Sequence, residues 1–413
     1  MSTIDINPTE INTAKVAGKR GAGAPQVDFI HTGPGTLAGR YLRMFWQPVF
    51  ESRKLKTGRA VPVKIMGEEF TLYRGASGEA YLTVARCPHR LTRLSIGIVE
   101  GEQLRCFYHG WKFAEDGHCV EMPAEPADVD PTRARIQMYP TREYLGLVFA
   151  FLGDGEPPEF PRYPFMEGPG VLDWFVHFRP INYFTQIDNV VDPAHTPFTH
   201  GGGAGFYENG VVGVPQVSGK ENDWGIIQYG KRPNGEVRVN HFGMPNIFHN
   251  KFVPTSAESG WQELIVWCVP VDDESHINFR VTLAHVEGEA AERFRKVRDA
   301  RTEAMSKLIA PHLVAQSIVA GDAVIDDFAD RPDLVAIQDL VTQIGQDPVP
   351  DRSCERLGRS DVLVVLVRRI YQRELIALQN GLPLKQWHWA SDLVAAVGGT
   401  SRADAGPAEA EIS

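Results

Sequence analysis

The stretch CPHRLTRLSIGIVEGEQLRCFYHG (Cys87–Gly110) places Cys87-x-His89, then sixteen residues, then Cys106-x-x-His109. Each arm therefore offers one thiolate and one imidazole. A finger-type zinc site usually sets two cysteines on one arm against two histidines on the other. One of each per arm suits two metals instead, one held by both cysteines and one by both histidines, as in a [2Fe–2S] cluster of mixed ligation. Imidazole ligands raise the potential of such a cluster, which fits it to feed electrons to an oxidising site.

Outward from this stretch the texture is that of short strands. VPVKIMGEEFTLYR (Val61–Arg74) reads as a hairpin turning near Gly67 and Glu68, and Glu143–Leu152 reads as a final strand. On the N-terminal side, Leu37–Val49 is apolar and aromatic, a docking helix broken by Pro48, and residues 1–36 read as a flexible arm. On the C-terminal side, Gly153–Gly170 holds five prolines and four glycines, through which neither helix nor strand can run. This linker divides an N-terminal domain (37–155) from a C-terminal one (165–395), followed by a flexible tail (396–413). Beyond it, Leu264–Val271 and His276–Leu283 read as strands, and Glu289–Ile309 and Ser360–Asn380 as helices, with Ser360 as N-cap and Gly381 as the stop. Hairpins plus long helices, without strand–helix alternation, predict an α+β chain.

About a hundred residues after the first motif comes IDNVVDPAHTPFTHGGG (Ile187–Gly203), with Asn189, Asp192, His195 and His200. On a straight helix, residues five apart point about 140° away from each other, so His195 and His200 could not share an ion there. Pro193 and Pro197 distort any helix, Gly201–Gly203 end it, and a distorted turn can bring both imidazoles to one metal. Two histidines plus one carboxylate describe the facial triad of non-haem Fe(II) oxygenases. The acidic candidates for the third ligand are Asp322, Asp326, Asp327, Asp339 and Asp361. Leu334, Ile337, Val341 and Ile344 form an apolar stripe with Asp339 roughly opposite, which also fits a solvated helix face.

In Cys87, His89, Cys106, His109 and the following HGWKF, and in the D-x2-H-x4-H spacing of Asp192, His195 and His200, the chain resembles the Rieske non-haem iron oxygenases. The resemblance runs from about His31 to Trp389 and fits the phthalate-dioxygenase-like branch, which holds ring dioxygenases, phenoxybenzoate dioxygenases and aromatic O-demethylases. It implies an all-β Rieske domain followed by a catalytic domain with an antiparallel sheet wrapped around helices, a helix-grip-like arrangement. It implies one [2Fe–2S] cluster on Cys87, Cys106, His89 and His109, with Pro123 in a covering loop, and one mononuclear Fe(II) on His195 and His200. Gln338-Asp339, Gly345, Asp351-Arg352, Glu355 to Asp361 and Arg368-Arg369 resemble that branch's ligand helix and its sequel. They put the third ligand at Asp339, with Asp322 the fallback. The resemblance makes Asp192 the electron bridge between the cluster of one subunit and the iron of the next, in a homotrimer or stacked hexamer. Asn189 either borders the iron or makes ordinary loop hydrogen bonds, and Asp188 is read as structural.

The implied function is a terminal oxygenase acting with O2 on an aromatic, carboxylated substrate, by ring hydroxylation or O-demethylation. No dinucleotide fingerprint is present, so NAD(P)H is expected to act through a separate reductase (flavin and iron–sulfur) or a ferredoxin. The competing readings are a Rieske electron-transfer protein, which leaves more than half of the chain without a purpose, and a zinc-binding module.

Over the 413 residues the net charge is −10, against nucleic acid or an anionic membrane as partner. No apolar run approaches a membrane span, and no signal peptide is visible. The five cysteines are too scattered for a disulfide framework, and a reducing cytoplasm is expected. Cys119, Cys268 and Cys354 carry no assigned role. HFGMPNIF (His241–Phe248) is read as a core strand or a pocket wall. None of the 42 lysines and arginines stands out as a partner for a substrate carboxylate.

Overall fold

The computed structural model describes residues 27–200, 213–252 and 262–389. Positions 1–26 of the expected arm, the Gly201–Gly203 helix stop and the tail from position 396 lie outside the described residues.

The arm is not free along its whole length. Val27, Phe29 and Thr32 are buried. The Phe29 ring lies 4.3 Å from Phe184, and the Phe29 carbonyl accepts the Tyr183 hydroxyl at 2.7 Å. Two apolar side chains and a few backbone hydrogen bonds dock residues 27–36, a correction to the expected flexible arm. Helix α1 (Leu37–Arg43) follows, with Thr36 Oγ1 accepting the Gly39 N–H at 3.1 Å as its cap. It ends before Pro48, which falls instead in strand β1 (Gln47–Glu51).

Short strands then build the N-terminal part: β2 (Ala60–Ile65), β3 (Glu68–Arg74), β4 (Ala80–Val84), β5 (Ile98–Glu100), β6 (Gln103–Arg105), β7 (Lys112–Phe113), β8 (Cys119–Glu121), β9 (Met138–Tyr139), β10 (Thr141–Tyr144) and β11 (Leu147–Ala150). They form three antiparallel sheets, ordered β1-β11-β10, β2-β3-β4-β9 and β5-β6-β7-β8. The first Cys/His arm follows β4 of the second sheet, and the other lies between β6 and β7 of the third.

Beyond the Pro/Gly linker, β12 (Val171–Arg179) leads into helices α2 (Tyr183–Val190) and α3 (Thr196–Thr199). Strands β13 (Gln216–Glu221), β14 (Gly225–Lys231), β15 (Val237–Gly243), β16 (Ile247–Phe252), β17 (Gln262–Asp272) and β18 (Ser275–Ala284) complete an antiparallel sheet of order β12-β18-β17-β16-β15-β14-β13. HFGMPNIF thus spans the β15–β16 turn. Helices α4 (Gly288–Ser306), α5 (Pro311–Ala320), α6 (Leu334–Ile344) and α7 (Val362–Gln379) follow. Asp361, not Ser360, is the N-cap of α7, because a single 3-10 turn over Arg359–Asp361 precedes it. None of the described helices is long and apolar enough to cross a membrane.

Strand register assigns two faces to the large sheet, since side chains alternate. One face carries Trp174, Phe279 and Trp267. It packs against the N-terminal part, where Trp267 meets Phe149 at 5.4 Å and the Trp174 indole donates to the Leu145 carbonyl. The other face is unusually polar: His177 pairs with Asn278, Arg179 with His276, and Cys268 with Asn278. At one end α7 crosses this face, its Leu363 reaching the position a Cβ on Gly219 would occupy. At the other end α4 approaches, through the ion pair of Arg301 with Asp173. The polar face and its helices enclose the second motif.

Candidate metal centres

The first centre is built from two loops of the same design. Cys87 follows β4 and Cys106 follows β6. In the first loop the Cys87 carbonyl accepts the Leu91 N–H at 2.9 Å, and the Cys87 N–H donates to the Thr92 carbonyl at 2.9 Å. In the second, Cys106 makes the equivalent bonds with Gly110 at 3.1 Å and Trp111 at 2.8 Å. Both loops need a left-handed residue four positions after the cysteine: Leu91 has φ +61° and Gly110 has φ +74°. At Gly110 a side chain is also excluded by space, because an added Cβ would lie 2.7 Å from Pro123 Cγ. Pro123 therefore sits against the His109 loop.

The two thiols are buried, and the imidazoles are nearer the surface. The rings of His89 and His109 are 4.5 Å apart. His89 stacks on Trp111 at 4.6 Å, and its Nδ1 is buried with no hydrogen-bond partner. Burial, reinforced by the neighbouring Cys106 thiol, pushes the Cys87 thiol up to about 12. Such a thiol stays protonated unless a cation replaces its proton. The four ligand-type residues do not gather round one point. Among the described residues, the group of three or more His, Cys, Asp or Glu that does is His195, His200 and Asp339. Two pairs, rather than one tetrahedron, match a two-iron cluster better than a zinc ion.

The second centre is assembled from elements far apart in sequence. Helix α2 stops at Val190, the chain turns through Asp192 and Pro193, and the four-residue α3 starts afresh. His195 and His200 are the residues flanking α3, and their rings lie 5.5 Å apart. The predicted break at the prolines is what allows this approach. Helix α6 brings Asp339 opposite them, with Oδ1 3.2 Å from His200 Nε2 and 3.6 Å from His195 Nε2. All three ligand atoms fall within 4.8 Å of one another.

The far side of each imidazole is occupied. His195 Nδ1–H donates to the Asp192 carbonyl at 2.5 Å, and His200 Nδ1–H donates to Gln338 Oε1 at 2.9 Å. These bonds fix the tautomers that turn both Nε2 lone pairs toward Asp339. Asp339 Oδ1 is buried and lacks a hydrogen-bond partner. An orphaned carboxylate oxygen facing two imidazole lone pairs is the donor set of a divalent cation. Burial opposes the charge on Asp339, yet His195 and His200 hold its carboxyl well below the usual range. Burial likewise opposes protonation of His195, but Asp192 and Asp339 prevail and push it up to about 10, so a cation binding here displaces the Nε2 proton to reach the lone pair.

Around the triad, Asp192 Oδ1 accepts the Ala194 N–H at 2.8 Å, and its Oδ2 lies 3.6 Å from His195 Nδ1. Asn189 Nδ2 lies 3.5 Å from His195 Nε2. Asp188 is remote from this chemistry, tied to Arg352 and Arg368. The fallback Asp322 is exposed just past α5 and outside the group. Asp339 does lie off the apolar stripe, but α6 is covered on its polar side as well, with Gln338 and Gln343 buried. Gln338 as the partner of His200 was not foreseen from sequence. Of the remaining cysteines, Cys119 and Cys268 are buried and Cys354 is exposed.

Residues 45–140 match the model of the Rieske [2Fe-2S] domain. The chain is 30% identical over 383 residues to the phenoxybenzoate dioxygenase subunit alpha of Ectopseudomonas oleovorans, covering 87% of each chain. It is 30% identical over 360 residues to the 5,5'-dehydrodivanillate O-demethylase oxygenase subunit of a Sphingobium species, covering 84% of this chain and 79% of that one. The chain belongs to the Rieske non-haem iron oxygenases. Solved structures share the fold: NdmA of Pseudomonas putida CBB5 with caffeine has a TM-score of 0.62 at 20% identity, over 84% of this chain and 94% of that one. The oxygenase of a carbazole 1,9a-dioxygenase complex with ferredoxin also has a TM-score of 0.62, at 17% identity, over 91% of this chain and 99% of that one. As a terminal oxygenase component of this family, the chain takes a Rieske [2Fe–2S] cluster and a mononuclear iron. The orphaned His89 Nδ1 and Asp339 Oδ1 are free to receive them.

Proposed function

We propose that this Rieske oxygenase oxygenates an aromatic carboxylate carrying an ether oxygen, by O-demethylation or ring hydroxylation. The convergence of His195, His200 and Asp339 within 4.8 Å carries the reading, because two imidazoles and one carboxylate are the residues that would hold a non-haem iron. The names of the two relatives quoted above, a phenoxybenzoate dioxygenase and a dehydrodivanillate O-demethylase, support the substrate class. In this reading Cys87 and Cys106 hold one iron of the cluster, His89 and His109 the other, and His195, His200 and Asp339 the single iron. When bound, these metals supply the one-electron steps through which triplet dioxygen oxidises an organic molecule.

The chain's own residues set the geometry. Asp192 and Gln338 lock the two imidazoles from behind, and Asn189 borders the metal position. Asp192 has a second role in this reading. Its carboxylate, 24% exposed, bridges to a cluster histidine of a neighbouring subunit, in a closed ring of three or a stack of two rings. Large exposed apolar side chains beside both centres support such a contact: Leu91, Phe107 and Tyr108 at the cluster, and Phe198 between the two iron histidines. A ferredoxin or a flavin-containing reductase brings electrons from NAD(P)H in this reading; the carbazole 1,9a-dioxygenase oxygenase has been solved in a reduced complex with ferredoxin.

For a methyl aryl ether, hydroxylation of the methyl group gives a hemiacetal. Its O–CH2 bond then breaks, the phenol oxygen keeping the electron pair, and formaldehyde leaves. With reductase, NADH and a methoxybenzoate, formaldehyde release equal to substrate consumed is expected for demethylation, and a cis-diol for ring attack. Neither product from any aryl-ether carboxylate would end the substrate assignment. Asp192→Ala is expected to keep both metals and the Rieske EPR signal but to lose at least about 100-fold in turnover, the upper range for a residue behind a metal ligand.

A further inference from the structure

Among the described residues, Arg179 and Arg352 both keep the Nε/Nη2 edge of the guanidinium buried without a hydrogen-bond partner, but Arg352 is ion-paired through Nη1 with Asp188 and Glu355. Arg179, the last residue of β12, is 3% exposed, and its Nε and Nη2 are buried without a hydrogen bond. Leaving a guanidinium unpaired in a folded interior costs several kcal/mol on the order of a buried-ion penalty, so native chains do it where a partner arrives from outside. The identity of the orphaned atoms matters. Nε and Nη2 form one edge of the guanidinium, with parallel N–H bonds that match the two oxygens of a carboxylate.

Arg179 stands on the polar face of the large sheet, in register with His276. Asp339 is the carboxylate whose charge acts on Arg179, and Cys268 on the adjoining polar face is the other group coupled to it. The neighbouring histidines do not compete for charge: burial, with Arg179 beside them, holds His177 well below its usual value and His276 down to about 3. Gln343, one helical turn beyond Asp339 on α6, is 1% exposed with both amide atoms unpartnered. Both ring nitrogens of His177 are unpartnered too. Arg179, His177 and Gln343 thus all carry buried polar atoms without a partner. Asp339 alone cannot neutralise Arg179 once a divalent ion occupies the triad, because +2 from the ion, −1 from Asp339 and +1 from Arg179 leave the enclosure positive.

We propose that Arg179 is the specificity-determining residue of this oxygenase, gripping the carboxylate of an aromatic acid through its Nε/Nη2 edge beside the iron. The inference rests on the oxygenase reading above and names the residue that holds the carboxylate of its substrate. Arg179 binds and orients; it does not take part in bond making.

The test compares 3-methoxybenzoate and 3-phenoxybenzoate with their methyl esters, by equilibrium binding to the full-length protein with and without Fe(II). Wild type is expected to bind each acid at least about tenfold tighter than its ester. Arg179→Gln should weaken acid binding by about 100-fold, as for truncating one partner of a buried charge pair, and ester binding by less than about threefold. Arg179→Lys should recover part of the acid preference, and KM for the acids should rise in Arg179→Gln far more than kcat falls. Equal binding of acids and esters by wild type would overturn the proposal even if the variants fail to fold. So would an equal loss for acids and esters in Arg179→Gln, or loss of mononuclear iron in that variant, which would make Arg179 a support for Asp339. Formaldehyde or diol formed equally well from the esters would sink the carboxylate grip while leaving the oxygenase reading intact; a wild-type protein without a Rieske EPR signal would sink that reading itself.

Discussion

The two metal centres of this chain are built in opposite ways. The cluster centre is confined to the stretch between Cys87 and His109, on two loops that repeat one backbone pattern, with Leu91 N–H closing on Cys87 and Gly110 N–H on Cys106. The iron centre joins the break between α2 and α3 to a helix that begins only at Leu334, far along the chain from His200. A local centre forms when its own hairpins form. The distant one exists only when the large sheet holds α3 and α6 together. Their surroundings differ accordingly. The cluster histidines sit near the surface among exposed apolar side chains, whereas the iron triad lies on a buried polar face with several unsatisfied groups.

The contrast can be broken most forcefully by removing ligands from one centre at a time. Cys87→Ser should abolish the Rieske EPR signal while mononuclear iron, measured by metal analysis, stays near one per chain. His195→Ala or Asp339→Ala should do the reverse, and all three should reduce turnover below detection. Loss of both metals from a single substitution would show that the centres are not structurally independent. A finer test is Gln338→Leu, which strips the acceptor from His200 Nδ1 and frees the ring to turn. Mononuclear iron affinity is expected to fall by about 10- to 100-fold, with the cluster untouched; unchanged affinity would mean that packing alone orients the ring.

A separate test concerns acid. Burial holds His276 and His241 down to about 3, so both are neutral in the folded protein at ordinary pH. In the unfolded chain they take up protons below about pH 6.5. The unfolded state then binds more protons, so stability falls as pH drops from about 6.5 toward 3, by about 1.4 kcal/mol per pH unit for each histidine. Thermal melting of the iron-free protein should show the loss in the catalytic domain. A melting temperature flat between pH 6.5 and 5 would place water or a counter-charge at these rings.

Much of this was legible in the chain. The cysteine and histidine spacing named the cluster chemistry, because its ligands are sequence neighbours. The prolines at 193 and 197 announced the broken helix that lets His195 and His200 face one another. Asp339 was visible only through the family pattern, since helical periodicity places it off the apolar stripe and cannot say what covers that side. Gln338 and Arg179 were not visible. A glutamine on a helix and an arginine ending a strand look ordinary until their burial is known.

The amino-acid order alone determined the metal types, the α+β class and the linker between two differently textured halves. These follow from ligand chemistry and from short-range periodicity. Only the tertiary structure decided which carboxylate meets the two histidines, which atoms hold their far nitrogens, and that Arg179 lies buried on the polar sheet face with an unpartnered edge. Those facts depend on strand register and helix docking between segments far apart in the chain, where burial and charge are set by neighbours that no local pattern specifies.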